Sequence, residues 1–228
     1  MPQNDNLKLF HSILMEFDRI GILDDFILIG SWALRVYREN FKQDPRIPIV
    51  ATQDLDFLLE NPVKVTRPAD VGLILAQFGM EEERSVSGQY AKFVGVDMEV
   101  EFLFPDKGRG ASGGIRIPEL GIVAQPLRYL HFIQDFSKTM DYQGIAVRVP
   151  EPEVYVLMKY LLTIKRTGAY RVKIAKDIST ARELESFLLE TGAHDVFRDR
   201  YRIMPGKWRN DLMRVLEEND SDLVQILG

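Results

Sequence analysis

Two aspartates stand two positions apart in residues 52–59, whose sequence is TQDLDFLL. Alternation of apolar and acidic residues favours a strand, and successive side chains of a strand point to opposite faces, so Asp54 and Asp56 share one face. Aspartate is disfavoured in strands, and two neighbouring carboxylates raise the pKa of one of them unless a positive charge lies between them. The spacing therefore predicts a site for a divalent cation held by carboxylate oxygens.

A turn upstream of these aspartates has the residue types of an anion site. The apolar run Phe26–Ile29 ends in Gly30 and Ser31, and the residues that follow suit a helix. We predict a buried strand, a turn and a helix with Ser31 as its N-cap. Glycine would let the backbone approach an anion, and the first N–H groups of the helix would bind it. A structural helix cap without a ligand has the same two residues, and the nearby aspartates favour the anion site.

A second acidic pattern lies in residues 93–104, where apolar and polar residues alternate. The alternation predicts one strand, with Val96 among the apolar residues of one face. The other face carries three acidic residues, which are Asp97, Glu99 and Glu101. Only one or two of these acids can reach a cation bound by the two aspartates, and Asp97, near the start of the strand, is expected to face solvent.

The remaining periodicity predicts a mixed sheet followed by helices, which is an α+β organisation. We expect a helix at the start of the chain, a second over residues 66–78, a glycine-rich loop over 106–114, a helix over 126–136 and a strand over 144–149. After residue 150 we predict only helices, one of them long and the last three over 194–204, 206–218 and 220–227. We therefore predict a first domain over residues 1–150 and a helical domain over residues 151–228.

The composition excludes several kinds of site and partner. The 228 residues include no cysteine and three scattered histidines, so we expect no disulfide or thiolate metal site, and any metal must be bound by oxygen. A net charge of −5 argues against long duplex nucleic acid as a partner, because phosphate contacts dominate that affinity. The chain has neither signal-peptide features at its start nor a run of about 20 apolar residues. We therefore expect a cytoplasmic protein with no membrane partner.

The chain resembles the nucleotidyltransferases of the DNA polymerase beta superfamily in three of these features. They are Gly30-Ser31 at the opening of a helix, Asp54-Leu55-Asp56 on the next strand, and an acid on a later strand. Within it the chain is most similar to bacterial nucleotidyltransferase-like proteins with Gly-Ser-Trp near the front, an EVEFL-type strand and a helix beginning PEPE. The nucleotidyltransferase-type toxins of toxin–antitoxin systems are more distantly similar. The resemblance implies a nucleotidyltransferase-type mixed β-sheet with flanking helices, followed by a C-terminal helical half.

The resemblance also implies the ligands of the metal. Asp54 and Asp56 would bind two magnesium ions, or manganese in their place, and a third acid would be a further ligand or the base for the attacking hydroxyl. We assign the third acid to Glu101, because Val100-Glu101-Phe102 is the apolar-acid-apolar setting that matches the third acid of the family. Glu99 is the second choice.

Two groups of residues would bind the phosphates of a nucleoside triphosphate by the same resemblance. The first is the turn of Gly30 and Ser31. The second lies in the helical half, where Lys159 and Lys176 are the candidates and Asp177 lies beside Lys176. A solvated helix face with ion pairs would carry the same residues. Lys107 and Arg109 in the glycine-rich loop could close over phosphates, and a surface loop with two charges is the favoured alternative. The helical half is locally basic, with further cations at Lys165, Arg166, Arg171, Lys173 and Arg182.

The implied activity is transfer of a nucleoside monophosphate from a nucleoside triphosphate such as ATP to a hydroxyl acceptor, with release of pyrophosphate. The acceptor can be a protein, an RNA or a small molecule, because acceptor choice depends on the helical half and its loops. A catalytically inactive nucleotide-binding module, or a toxin–antitoxin-type interaction module with an antitoxin-like partner, would have the same fold. A structural protein whose acidic strands face solvent is the third interpretation.

Overall fold

The computed structural model describes residues 2–84, 91–106, 113–164 and 171–228. The chain forms two compact units. The first consists of Met1–Phe41 and Ile49–Pro150, and the second consists of Lys42–Pro48 and Glu151–Gly228. No helix in the described part of the chain is both long enough and apolar enough to cross a membrane.

The first unit combines strands with helices. Its strands are β1 (Phe26–Ile29), β2 (Asp54–Leu59), β3 (Glu81–Arg84), β4 (Ala91–Val94), β5 (Glu99–Pro105), β6 (Ile115–Ile117), β7 (Ile122–Leu127), β8 (Ser137–Tyr142) and β9 (Ile145–Pro150). Its helices are α1 (Pro2–Ile20), α2 (Ala33–Asn40), α3 (Val71–Ala76) and α4 (Leu130–Asp135). Short 3-10 turns lie at Leu23–Asp25, Gly30–Trp32 and Pro118–Leu120.

Strand pairing places β2 and β5 together in the main sheet, whose order is β1-β2-β5-β4-β3. β2 and β5 are parallel, whereas β1 is antiparallel to β2, and β4 is antiparallel to both β5 and β3. The end of β5 also pairs in parallel with β7, which is antiparallel to β6. β8 and β9 form a separate antiparallel hairpin that contacts α2 and β1. The sheet is therefore mixed, and the fold class is α+β.

An aromatic cluster buries one face of the main sheet. Phe57 of β2 and Phe102 of β5 are paired in register, and Phe26 of β1 and Phe17 of α1 pack against them. The ring centroids of the contacting pairs are 5.3–5.9 Å apart. Each aromatic pair of this kind adds about 0.5–1.5 kcal/mol to the stabilisation from buried area. The cluster thereby fixes which side chains of β2 and β5 point to the opposite face.

The described part of the second unit is helical beyond residue 151. Its helices are α5 (Pro152–Thr163), α6 (Arg171–Glu190), α7 (His194–Ile203), α8 (Gly206–Glu218) and α9 (Leu223–Leu227). The buried carboxylate of Glu185 on α6 accepts hydrogen bonds from the Tyr160 hydroxyl at 2.6 Å, the Ser221 hydroxyl at 2.7 Å and the Leu223 amide at 3.3 Å. It thus joins α5 and the start of α9 to α6. Burial, and secondly the charge of Glu185, raises the pKa of Tyr160.

The segment Lys42–Pro48 is held in the second unit by Arg46. Its guanidinium forms an ion pair with Asp44 at 2.7 Å and a second one with Glu190 on α6. The same group lies 4.9 Å from the ring centroid of Phe187, which is buried. This segment therefore packs with helices that follow it much later in the sequence.

The prediction of a single strand over residues 93–104 is wrong, because the structure has two strands, β4 and β5, joined by a tight turn. The amide of Gly95 donates to the carbonyl of Met98 across this turn at 2.9 Å, and Val96 is 94% exposed. Asp97 lies in the same turn and not in a strand. The apolar-polar alternation runs through the turn without interruption, so the pattern contains no sign of it.

The helix predicted over residues 126–136 begins later than expected. Pro126 still pairs with Phe104 at the end of β7, and Tyr129 takes a φ of 74°. A right-handed helix cannot include a residue with positive φ, so α4 starts only after Tyr129. Strand pairing therefore takes precedence over the helical periodicity of this segment.

The helix predicted over residues 66–78 is also shorter, and it is the Asp70 side chain that defines its start. Asp70 accepts a hydrogen bond from the amide of Leu73 at 3.0 Å and is the N-cap of α3.

The strands β3, β6, β7 and β8 were not predicted from the sequence. β3 shows why, since its sequence EEER has no apolar residue and it is held by backbone pairing with β4.

Candidate active site

Four carboxylates share one face of the central strand pair. In the parallel register of β2 and β5, Asp54 lies opposite Glu99 and Asp56 lies opposite Glu101. Paired residues of adjacent strands point to the same face, which here is the face opposite the aromatic cluster. All four residues are partly exposed. The structure thus places the two aspartates together and brings both candidate third acids beside them.

Gly30 brings the turn after β1 against this acidic face. Ile29 of β1 is paired with Asp56, and Gly30 follows it at the end of the strand. Gly30 has a φ of +68°, and a Cβ atom at this position would collide with Oδ2 of Asp56. Only glycine combines this backbone conformation with so close an approach. The turn and the carboxylate of Asp56 are therefore parts of one site.

Ser31 does not cap the helix that follows, so the predicted N-cap is wrong. Gly30–Trp32 form a 3-10 turn, and α2 begins at Ala33 without a side-chain hydrogen bond at its N-terminus. The amide of Ala33 donates to the carbonyls of Gly30 and Ser31, so the backbone alone closes the turn. The hydroxyl of Ser31 is not used for capping.

Lys92 of β4 is a charged residue of this face that the sequence prediction missed. It is the register partner of Glu101 on β5 and of Glu83 on β3. Its ammonium is 2.8 Å from Oε2 of Glu99 and 3.8 Å from Oε2 of Glu83. The hydrogen bond to Glu99 is the main cause that raises the pKa of Lys92, and burial opposes it. The sequence does contain a sign of this role. Lys92 stands between the apolar residues Ala91 and Phe93, and in a strand this alternation puts the lysine on the polar face.

The donor types on the acidic face fit a hard divalent cation, which prefers carboxylate oxygens. In the part of the chain that the structure describes, no group of three or more histidine, aspartate or glutamate side chains is arranged to hold a metal ion. The face therefore offers suitable donors on paired strands, and these donors would have to draw together around a cation.

Lys159 and Lys176, the predicted phosphate ligands of the helical half, lie in the second unit on α5 and α6. The ammonium of Lys159 is 2.8 Å from Oδ1 of Asp177, and the two side chains are 14% and 8% exposed. It also lies 5.4 Å from the ring centroid of Tyr155. Lys176 is exposed. Four further predicted cations lie outside the described residues, and these are Lys107, Arg109, Lys165 and Arg166.

Comparisons with solved structures give distant similarities, and no curated protein sequence matches the chain significantly. An antigenic nucleotidyltransferase-like protein from Paracoccidioides brasiliensis has a TM-score of 0.48 and 15% identity, with 95% of this chain and 88% of that chain covered. The antibiotic-resistance factor ANT(2'')-Ia in solution has a TM-score of 0.44 and 14% identity, with 89% and 93% covered. ANT(2'')-Ia in complex with adenylyl-2''-tobramycin has a TM-score of 0.43 and 14% identity, with 85% and 97% covered. At these values the similarities support no inference about substrate.

The family comparison covers most of the chain. Residues 8–205 match the family described as Nucleotidyltransferase. This stretch includes the Gly30 turn, the acidic strands β2 and β5, and the helices α5 and α6. The chain therefore belongs to the nucleotidyltransferase family.

Proposed function

We propose that the protein transfers a nucleoside monophosphate from a nucleoside triphosphate to a hydroxyl acceptor, with release of pyrophosphate. The contact of Gly30 with Asp56 carries this proposal, because it puts a turn suited to an anion directly beside a carboxylate face. Phosphoryl transfer needs both features, since the phosphates require donors and the accompanying metal ions require carboxylates. We expect the reaction to occur in the cytoplasm, where nucleoside triphosphates and magnesium are available.

The residues of the acidic face have separate tasks in this proposal. Asp54 and Asp56 would hold magnesium or manganese, which when bound neutralises the triphosphate and makes the acceptor hydroxyl more acidic. The Gly30 turn orients the phosphates, and the hydroxyl of Ser31 can donate to them. Glu101 is a further ligand or accepts the proton of the acceptor hydroxyl. The acceptor oxygen bonds to the α-phosphorus as the bond from that phosphorus to the pyrophosphate oxygen breaks.

We also propose phosphate contacts from the second unit. Lys176 is exposed on α6, where a phosphate can approach it from solvent. Lys159 would have to exchange its buried partner Asp177 for a phosphate oxygen. We expect Lys176→Met and Lys159→Met each to weaken nucleotide binding, which the nucleotide-dependent melting shift of the two variants measures.

The test is a thermal melt of the full chain with ATP, GTP, CTP or UTP, each with and without magnesium. A ligand that binds only the native state stabilises it by about 2.7 kcal/mol when present at a hundred times its dissociation constant. We expect a magnesium-dependent rise in melting temperature for at least one nucleotide. The rise should be lost in Asp56→Asn and retained in Asp18→Asn, a matched change at an exposed residue of α1.

The same samples then separate an enzyme from an inactive module. Release of labelled pyrophosphate with a protein, RNA or small-molecule acceptor supports the transferase. Nucleotide binding without pyrophosphate release with any of these acceptors would instead support the nucleotide-binding or antitoxin-binding alternative. If no nucleotide changes the melting temperature, or if Asp56→Asn behaves like the wild type, the proposed site is wrong.

A further inference from the structure

Lys92 is a cation built into the acidic face. Its direct partner across β4 and β5 is Glu101, and its ammonium reaches diagonally to Glu99, at 2.8 Å from Oε2. Diagonal neighbours on paired strands are about 7–8 Å apart, which a long side chain can span. The lysine thus connects to the glutamate that is paired on its other side with Asp54 of β2.

The contact with Glu99 is more sheltered than the other ion pair of Lys92. The side chains of Lys92 and Glu99 are 28% and 33% exposed, whereas that of Glu83, 3.8 Å away, is 62% exposed. Exposed pairs are weakened by solvent and salt, so the short contact with Glu99 is the one that determines where the ammonium lies.

We propose, on the basis of the function proposed above, that Lys92 is a positioning residue that keeps Glu99 out of the metal ligand set. By engaging the Glu99 carboxylate, it withdraws that carboxylate from the cation.

A second consequence concerns the order of binding. An ammonium beside the acidic face repels a divalent cation and cancels part of the negative charge that would attract it. The protein without nucleotide should therefore bind divalent cations weakly. Most of the metal affinity should appear only when a triphosphate contributes its own charge and oxygens.

The experiment is a calorimetric titration of the nucleotide-free chain with Mn2+ alone. Four proteins form a double-mutant cycle, namely wild type, Lys92→Met, Glu99→Gln and the variant with both changes. We expect Lys92→Met to bind Mn2+ about tenfold more tightly than wild type, the lower end of the effects seen for residues beside metal ligands. In the Glu99→Gln background the same change should have a smaller effect, below about threefold, because it removes only the repulsion by the ammonium and releases no carboxylate.

Controls keep the two proposals separate. Lys138→Met removes an exposed lysine of β8 and should leave Mn2+ affinity unchanged, and Lys92→Gln replaces Lys92→Met if the latter fails to fold. Equal tightening in both Glu99 backgrounds, or none in either, would overturn the role of Lys92. If Asp56→Asn binds Mn2+ as wild type does, it is the proposed metal site that fails, whatever Lys92 does.

Discussion

At the scale of single residues, two constraints require glycine at position 30. The first is the positive φ of the backbone, and the second is the carboxylate of Asp56, which lies where a Cβ atom would be. Gly144, in the turn between β8 and β9, has only the first constraint, with a φ of +87° and nothing within 4 Å of an added Cβ. The two glycines therefore allow the backbone effect to be separated from the effect on the site.

We expect Gly30→Ala and Gly144→Ala both to lower the free energy of unfolding. The left-handed conformation costs an alanine about 1–2 kcal/mol, and at Gly30 the collision with Asp56 adds to this cost. Only Gly30→Ala should also abolish the magnesium-dependent melting shift with nucleotide. Urea denaturation and thermal melts of both variants measure these effects. Normal nucleotide binding by Gly30→Ala would exclude the turn from the site.

At the scale of secondary-structure elements, Arg148 of β9 ties the β8–β9 hairpin to the end of β2. Its guanidinium donates to Glu60, directly after β2, at 2.7 Å and to the hydroxyl of Ser137 at 3.1 Å. The hydrogen bond from Arg148 is the main cause that lowers the pKa of Glu60, and burial opposes it. This link supports the strand that carries the two aspartates.

The lowered pKa of Glu60 makes part of the stability depend on pH. Its ordinary pKa is 4.5, so the contribution is present above about pH 4.5 and is lost as the pH falls through the lower pKa of the folded state. We expect Glu60→Gln to reduce the free energy of unfolding by about 1–2 kcal/mol at pH 7 and by much less at pH 3. Urea denaturation across this pH range measures the difference. Glu119→Gln, at an exposed residue, should show no such trend, and an equal loss at both pH values would contradict the assignment.

How much of the site the sequence predicts depends on whether the signal is local. The shared face of Asp54 and Asp56 follows from alternation within one strand, and the glycine turn follows from the end of an apolar run. The separation of β4 from β5 and the diagonal contact of Lys92 with Glu99 depend on strand register, which is set by contacts between distant parts of the chain. Ser31 was misplaced for another reason, because a 3-10 turn closed by backbone bonds leaves no need for a cap.

At the scale of the whole molecule, charge limits the partners. The net charge is −5, and the acidic face adds a local concentration of negative charge. Phosphate contacts from lysine and arginine supply most of the affinity for duplex DNA, and a negative protein repels it. Any nucleic-acid acceptor must therefore be recognised through a local basic surface.

We accordingly expect no binding of long duplex DNA at physiological salt. Fluorescence anisotropy of a labelled duplex, titrated with the full chain, measures this directly. A short single-stranded RNA serves as the comparison, because it is one of the proposed acceptor classes. Micromolar duplex binding that weakens steeply with added salt would contradict the prediction.

The segment Lys42–Pro48 has a consequence for how the chain can be divided. Because it belongs to the second unit while the residues on either side belong to the first, the backbone passes between the units three times. A single cleavage after Pro150 would leave Arg46 on one fragment and its partners Phe187 and Glu190 on the other. The fragments would then still share an ion pair and a cation–π contact. The two units are interlaced in sequence, and neither can be excised as one uninterrupted piece of polypeptide.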